Sequence, residues 1–359
     1  MTRLLNRGDT SQLESMSNQV LPLAVTMGEP AGIGGELVLK CWRRRRTEHM
    51  SPFFVIDSPA RISSLNDKLG LDVPIREVGS ASDVEANFEN GLPVIPIDIP
   101  TPVEPGCPDP ANSSAVIRSI DIAVAAVRNG DATAVVTNPI HKATLVQSGF
   151  TYPGHTEYLG VLSGIAKPVM MLVGEDLRVV PVTGHVSLKD AIIALTSDAI
   201  IHAGKVSAAA LASSFGIEHP RLVVAALNPH AGEDNLFGDE EQTIIKPAIQ
   251  TLRNDGIEVW GPAPADSLFH AAARFNYDAA ICMYHDQALI PLKTIDISGG
   301  VNVTLGLPFV RTSPDHGTAF DIAGKGIADE NSMLAAMLLA CEIAHQRTKI
   351  DAPPLAAHA

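Results

Sequence analysis

Apolar residues fall along this chain in short runs that alternate with longer stretches of helical spacing. Leu21–Met27 is a compact apolar run and reads as a buried strand. A glycine-rich turn follows, then an amphipathic stretch to about Trp42. Phe53–Asp57, Ala134–Thr137, Val169–Val173, Val179–Val182, Leu222–Leu227 and Ala279–Met283 read as further strands. Ser113–Asn129 has helical spacing and stops at Gly130, and 188–214, 239–255 and 332–346 carry helical patterns. This alternation predicts an α/β fold with a mainly parallel sheet.

A length of 359 residues suggests two domains or one large doubly wound unit. With 46% hydrophobic and 18% charged residues the chain is too apolar for disorder. Its formal charge of -14 is the wrong sign for a nucleic-acid binder, so Arg43–Arg46 reads as a solvated helix end. No apolar run approaches the roughly 20 residues of a membrane span; the greasiest stretch, Met333–Ala344, contains Glu342. Residues 1–19 are polar, lack the apolar segment of a secretory signal and read as a disordered extension. Cys41, Cys107, Cys282 and Cys341 are too scattered for a zinc knuckle and read as buried free thiols of a cytoplasmic protein. Pro100–Pro110, with five prolines, reads as a surface loop.

In open α/β sheets, ligands bind beyond the carboxyl ends of strands. Polar clusters stand at those places: Thr137–Lys142, Gly154–Glu157, Thr183–His185, Asn228–Glu233 and Met283–Gln287. Several carry histidine. Neutral imidazoles suit a divalent transition metal, and three of them leave positions open for substrate; spacing alone does not say which three. The glycines at 28, 32, 34 and 35 do not form G-x-G-x-x-G, so this turn serves equally as an anion-binding loop or as a tight turn. Lys293, Asn302 and Arg311 precede a glycine-rich polar block, and Lys and Arg are what an anionic phosphate or carboxylate needs.

The blocks GEPAGIGGE, GHTEYL, LNPHAGE, MYHDQ and VNVTLGLPFVRTSPDHGTAFDIAGKG occur in order. Across roughly residues 21–347 the chain resembles the 4-hydroxythreonine-4-phosphate dehydrogenase family of vitamin B6 biosynthesis. The resemblance implies two α/β/α domains with a cleft between them, like isocitrate and isopropylmalate dehydrogenases. The first comprises 20–135 plus 300–350; the second, 136–299, carries the dimer interface. It implies a divalent metal on His185, His230 and His285, and substrate contacts at His155, Thr156, Lys293, Asn302 and Arg311. It also implies a homodimer whose active sites take residues from both chains. The first loop departs from the family's usual pattern, with Glu29 in place of Asp and Gly35 in place of Pro.

The segment DHGTAFDIAGKG also looks like the adenosine-binding loop of isocitrate and isopropylmalate dehydrogenases, which places His316, Gly317, Thr318 and Asp321 at the cofactor. A carboxylate at 321 accepts from a ribose 2′-OH and repels a 2′-phosphate, so NAD is expected over NADP. Three imidazoles favour Zn or Co, with Mg as a further candidate. The implied reaction is NAD-dependent oxidation of 4-phosphooxy-L-threonine at C3, followed by loss of CO2 to 3-amino-2-oxopropyl phosphate. Two other readings remain: a 4-phospho-D-threonate or D-erythronate dehydrogenase of the same family, and a metal-dependent hydrolase or lyase without nicotinamide. The proton acceptor is open; Asp286 and Asp315 stand near the motifs but equally suit orienting a histidine or capping a turn.

Overall fold

The computed structural model describes residues 21–351. The extension expected over 1–19 lies outside them. Among the described residues twelve strands join one sheet: β1 (Leu23–Thr26), β2 (Phe53–Asp57), β3 (Ile75–Glu77), β4 (Leu92–Pro96), β5 (Ala134–Val136), β6 (Val169–Val173), β7 (Arg178–Pro181), β8 (Arg221–Ala225), β9 (Glu258–Ala263), β10 (Ala279–Cys282), β11 (Val301–Leu305) and β12 (Arg311–Pro314). Their spatial order is β3-β4-β2-β1-β5-β12-β11-β6-β7-β10-β8-β9. Pairing is antiparallel only where β12, β11, β6 and β7 meet in the middle; the remaining pairs are parallel, as the alternation predicts.

The helices are α1 (Gly34–Arg44), α2 (Pro59–Leu69), α3 (Val84–Phe88), α4 (Ser113–Arg128), α5 (Lys142–Gln147), α6 (His155–Ser163), α7 (Leu188–Ala194), α8 (Ser197–Phe215), α9 (Lys246–Asn254), α10 (Ala271–Arg274), α11 (His285–Ile295) and α12 (Asn331–Asp351). Side chains of successive strand residues point to opposite faces, so a strand covered on both sides must be apolar throughout. Leu23 and Val25 of β1, Phe53 and Val55 of β2, and Ala279 and Ile281 of β10 share one core with residues of α1, α8, α9 and α12. Their neighbours Ala24, Phe54 and Ile56 pack with α4 on the opposite face, and Ala280 and Cys282 with α11. The apolar runs are continuous because both faces are buried.

The stretch 188–214 is two helices, not one. Ser187 caps α7 and Thr196 caps α8, each side-chain oxygen accepting a backbone N–H, and the helix axes turn by 89°. No single helix among the described residues is long and apolar enough to cross a membrane. Cys41 and Cys282 are buried as expected, but Cys107 is exposed and Cys341 half-buried; all four are free.

Candidate active site

Residues that follow β5, β7, β10 and β12 line one cleft of about 490 Å3 beyond the strand ends. Its floor is the polar strand β12. Arg311 is only 3% exposed, yet among the described residues its side-chain hydrogen bonds all go to hydroxyls: Nη2 and Nε donate to Thr137 Oγ1 at 2.6 and 3.2 Å, and Nη1 to Thr304 Oγ1 at 2.9 Å. Burial lowers its pKa to about 10. A guanidinium held among neutral oxygens and facing a cleft is a receptor for an anion. Lys293, on α11, lines the same cleft and pairs with Asp315 at 3.2 Å.

Among the described residues, four side chains of the cleft hold a buried polar atom with no partner: Asn138 Oδ1, His155 Nε2, Asn302 Oδ1 and His316 Nε2. Native proteins rarely leave such atoms unsatisfied, and a polar ligand is what completes them. His155 opens α6, and its pKa lies well below the usual imidazole value, first through burial, then through the charges of Arg311 and Lys142. His316 is shifted down by burial as well.

Of the histidines expected to share a metal, the chain brings two together. His185 follows β7 and His285 opens α11 after the adjacent strand β10, with ring centroids 5.3 Å apart. His185 takes a left-handed backbone conformation (φ 53°), unusual for a side chain with a Cβ and a mark of an over-determined site. Its pKa is shifted down by burial and by Lys142. Asp286 Oδ1 lies 2.7 Å from His285 Nδ1. Gln287 ties neighbouring strand ends together, accepting from Met283 N and donating to Ala226 O, both at 2.7 Å. His230 is exposed on the loop after β8, with its ring 6.0 Å from that of Phe237. No group of three metal-ligating side chains forms within one chain among the described residues.

His155, Thr156, Lys293, Asn302 and Arg311 all line the cleft, together with His316 and Gly317. Thr318 lies to one side, its carbonyl accepting from Ile33 N at 3.1 Å, and Asp321 is exposed on the same loop. The glycines of the first loop are consumed by packing. A Cβ on Gly28 would lie 2.5 Å from Asn138 Cβ, and one on Gly32 would lie 2.9 Å from Thr318 O. Asp286 and Asp315 are engaged in orienting His285 and pairing Lys293, which leaves the proton acceptor unassigned.

Comparison with known proteins bears directly on this cleft. Residues 48–340 match the family model of the pyridoxal phosphate biosynthetic protein PdxA. The chain belongs to the PdxA family. It is 51% identical over 339 residues to a 4-hydroxythreonine-4-phosphate dehydrogenase of Bradyrhizobium diazoefficiens, covering 91% of this chain and 98% of that one. The crystal structure of 4-hydroxythreonine-4-phosphate dehydrogenase from Klebsiella pneumoniae superposes with a TM-score of 0.81 at 36% identity, covering 90% and 99% of the two chains. A terephthalate 1,2-cis-dihydrodiol dehydrogenase from Burkholderia xenovorans is more distant, at 27% identity and a TM-score of 0.60, covering 90% and 98%. Within this PdxA fold, sequence reasoning left Asn138, Lys142, Glu157 and Ser313 unassigned, although all line the cleft. Asn138 and Lys142 stand in the strand-end cluster 137–142, whose position was the available signal.

Proposed function

We propose that this chain catalyses the NAD-dependent oxidation of 4-hydroxythreonine 4-phosphate (4-phosphooxy-L-threonine) to 2-amino-3-oxo-4-phosphooxybutanoate, in pyridoxal phosphate biosynthesis. The observation that carries the reading is Arg311, a buried cation whose side-chain partners among the described residues are hydroxyls, in the same cleft as a pair of imidazoles. It gives a phosphate ester a charged anchor that an uncharged diol cannot use. The chain's charge of -14 repels such a substrate at long range, but screening over roughly 8–10 Å confines the contest to the cleft. Arg311 and Lys293 hold the phosphate, while Asn302 and the neutral His155 offer unsatisfied polar atoms to the rest of the molecule.

His185 and His285 fit two places of a three-histidine metal site. Asp286 fixes one ring nitrogen of His285 and leaves the other for a cation, an arrangement common around metal-bound imidazoles. In the homodimer we propose, the third place goes to His230 of a second copy, whose loop is exposed and flanked by the exposed apolar residues Leu236 and Phe237. A divalent cation there, Zn, Co or Mg, supplies Lewis acidity that lowers the pKa of the C3 hydroxyl. The loop bearing His316, Gly317, Thr318 and Asp321 takes the dinucleotide. Glu36 of α1 anchors it by accepting from Gly326 N and Ala328 N, and Asp321 is free to accept from a ribose hydroxyl. Bound nicotinamide supplies the hydride acceptor. Beside that loop a cavity of about 430 Å3, lined by Gly32, Lys68 and Pro105 among others, leaves room for the adenosine end. The product is a β-keto acid, and loss of CO2 gives 3-amino-2-oxopropyl phosphate. We place the domain division at 20–135 plus 300–350 against 136–299, and the protein in the cytoplasm, where its free thiols remain reduced.

A substrate panel with added divalent metal, read by NADH formation, tests the reading. Metal-dependent turnover of 4-phosphooxy-L-threonine is expected to exceed that of 4-phospho-D-threonate, 4-phospho-D-erythronate and an aromatic cis-dihydrodiol. A higher rate on any of these rejects the substrate assignment. Initial rates with both cofactors test the loop, and a preference for NADP rejects the role of Asp321.

A further inference from the structure

The cleft adjoins a second cavity of about 470 Å3, and the wall they share consists of Thr156, Glu157, Met170 and His185. Arg311 and Lys293 line the first cavity and not the second; Asp198 and His202 line the second and not the first. Among the described residues two carboxylates line the cleft, and they differ in what they already do. Asp315 pairs with Lys293 at 3.2 Å. Glu157, exposed in the first turn of α6, takes neither a side-chain hydrogen bond nor an ion pair among the described residues. Lys142 is near it: Glu157 Oε2 and Lys142 Nζ lie 3.4 and 3.5 Å from the point a Cβ would occupy on Gly154, yet no ion pair joins the two.

A carboxylate in an anion-binding cleft opposes the ligand unless that ligand also carries a cation. The substrate of the function proposed above carries one. Its phosphate is on C4, its reacting hydroxyl on C3 and its ammonium on C2, next to C3 on the side away from the phosphate. With the phosphate on Arg311 and C3 toward His185 and His285, C2 comes next to His185, on the wall that also holds Glu157. A carboxylate there accepts a charge-assisted hydrogen bond from the ammonium. A sugar-acid phosphate has a hydroxyl at C2 and offers only a neutral donor in its place.

We propose that Glu157 receives the C2 ammonium of the substrate, and so selects amino acid phosphates over hydroxy acid phosphates. This rests on the substrate reading above. The full chain, with Mg2+ added and no dinucleotide, is titrated calorimetrically with two ligands. One is 4-phosphooxy-L-threonine; the other is 3-hydroxy-4-phosphooxybutanoate of the same C3 configuration, which keeps the phosphate, hydroxyl and carboxylate but has no ammonium. In Glu157→Gln the amino acid phosphate is expected to bind roughly tenfold or more weakly, the loss of one charge-assisted contact. The ligand without an ammonium should bind as to the wild type or more tightly, because a negative charge has left the cleft; it also reports that the variant is folded. Unchanged binding of both ligands, or equal weakening of both, overturns the proposal. Tighter binding of both overturns it too, because Glu157 then serves only to offset Lys142. If the wild type does not bind 4-phosphooxy-L-threonine, the substrate reading itself falls and the ammonium site with it.

Discussion

Arg311 donates to the hydroxyl of Thr137 from two nitrogens, and its other partner is the hydroxyl of Thr304. A buried guanidinium without a carboxylate contributes little to folding, because desolvation costs as much as neutral hydrogen bonds return. Its presence on the central strand β12 is better explained by what it binds. Arg311→Met should therefore leave the melting temperature unchanged or raise it, while weakening binding of the phosphorylated substrate on the order of 100-fold. NAD affinity should change far less. Equal loss of both affinities, by calorimetry, counts against the role assigned to Arg311.

The depressed imidazoles make stability depend on pH. His155 and His316 are held below the usual value, mainly by burial. In the unfolded chain both take a proton near pH 6.5, while the folded protein resists until lower pH. Unfolding thus takes up protons as pH falls below about 6.5, and the free protein loses stability on acidification. Melting curves between pH 7.5 and 5 should show this decline, and His155→Asn should make it shallower. Inorganic phosphate in the cleft should also reduce the slope, by favouring the charged imidazole.

Hydrophobic patterning revealed the strands buried on both faces, including β5, β7 and β10, and missed β11 and β12, whose own side chains Asn302, Arg311 and Ser313 line the cleft. β12 reads Arg-Thr-Ser-Pro yet is wholly buried; Arg311 and Ser313 face the cleft, while Thr312 Oγ1 donates to Ala336 O behind it. A strand that builds a binding floor looks like a loop to any measure of apolar content. β4 and β9 were hidden by their prolines; the sheet tolerates Pro262 because it falls at a register shift on the edge strand β9, and Pro96 because it ends β4. Motif order located most of the cleft, since His155, Lys293, Asn302 and Arg311 do converge. It did not reveal that His230 stands apart from His185 and His285, because strand order along the chain says nothing of where a long loop carries its residues.

That loop has its own support. Glu241 is 1% exposed and has no cationic partner among the described residues; its carboxylate accepts from Leu227 N at 2.9 Å, Asn228 N at 2.7 Å and Asn228 Nδ2 at 2.9 Å. It lies at the start of a π-helical turn, and beyond its contacts His230 to Asn235 all run at positive φ. Glu241→Gln presents an amide N–H to one of these donors and should cost about 1–3 kcal/mol of stability by denaturant unfolding. Glu241→Asp, too short to reach both backbone groups, should cost a similar amount. A stability loss below 0.5 kcal/mol in both variants, roughly that of an ordinary surface change, contradicts this anchoring role.

The separation of His230 from the imidazole pair yields a test of a shared site. If each metal is held by His185 and His285 of one protomer and His230 of the other, either His185→Ala or His230→Ala alone abolishes metal-dependent turnover. The exposed position of both side chains means that neither change should unfold the chain. Mixed and reassembled in equal amounts, the two inactive variants form hybrid dimers in which one site has lost both residues and the other has lost none. Half of the dimers are hybrids and half of their sites are intact, so about a quarter of the wild-type activity should return under random pairing of a two-fold dimer. A site confined to one chain gives the opposite result, since every protomer in the mixture would then carry one defect and none would be active.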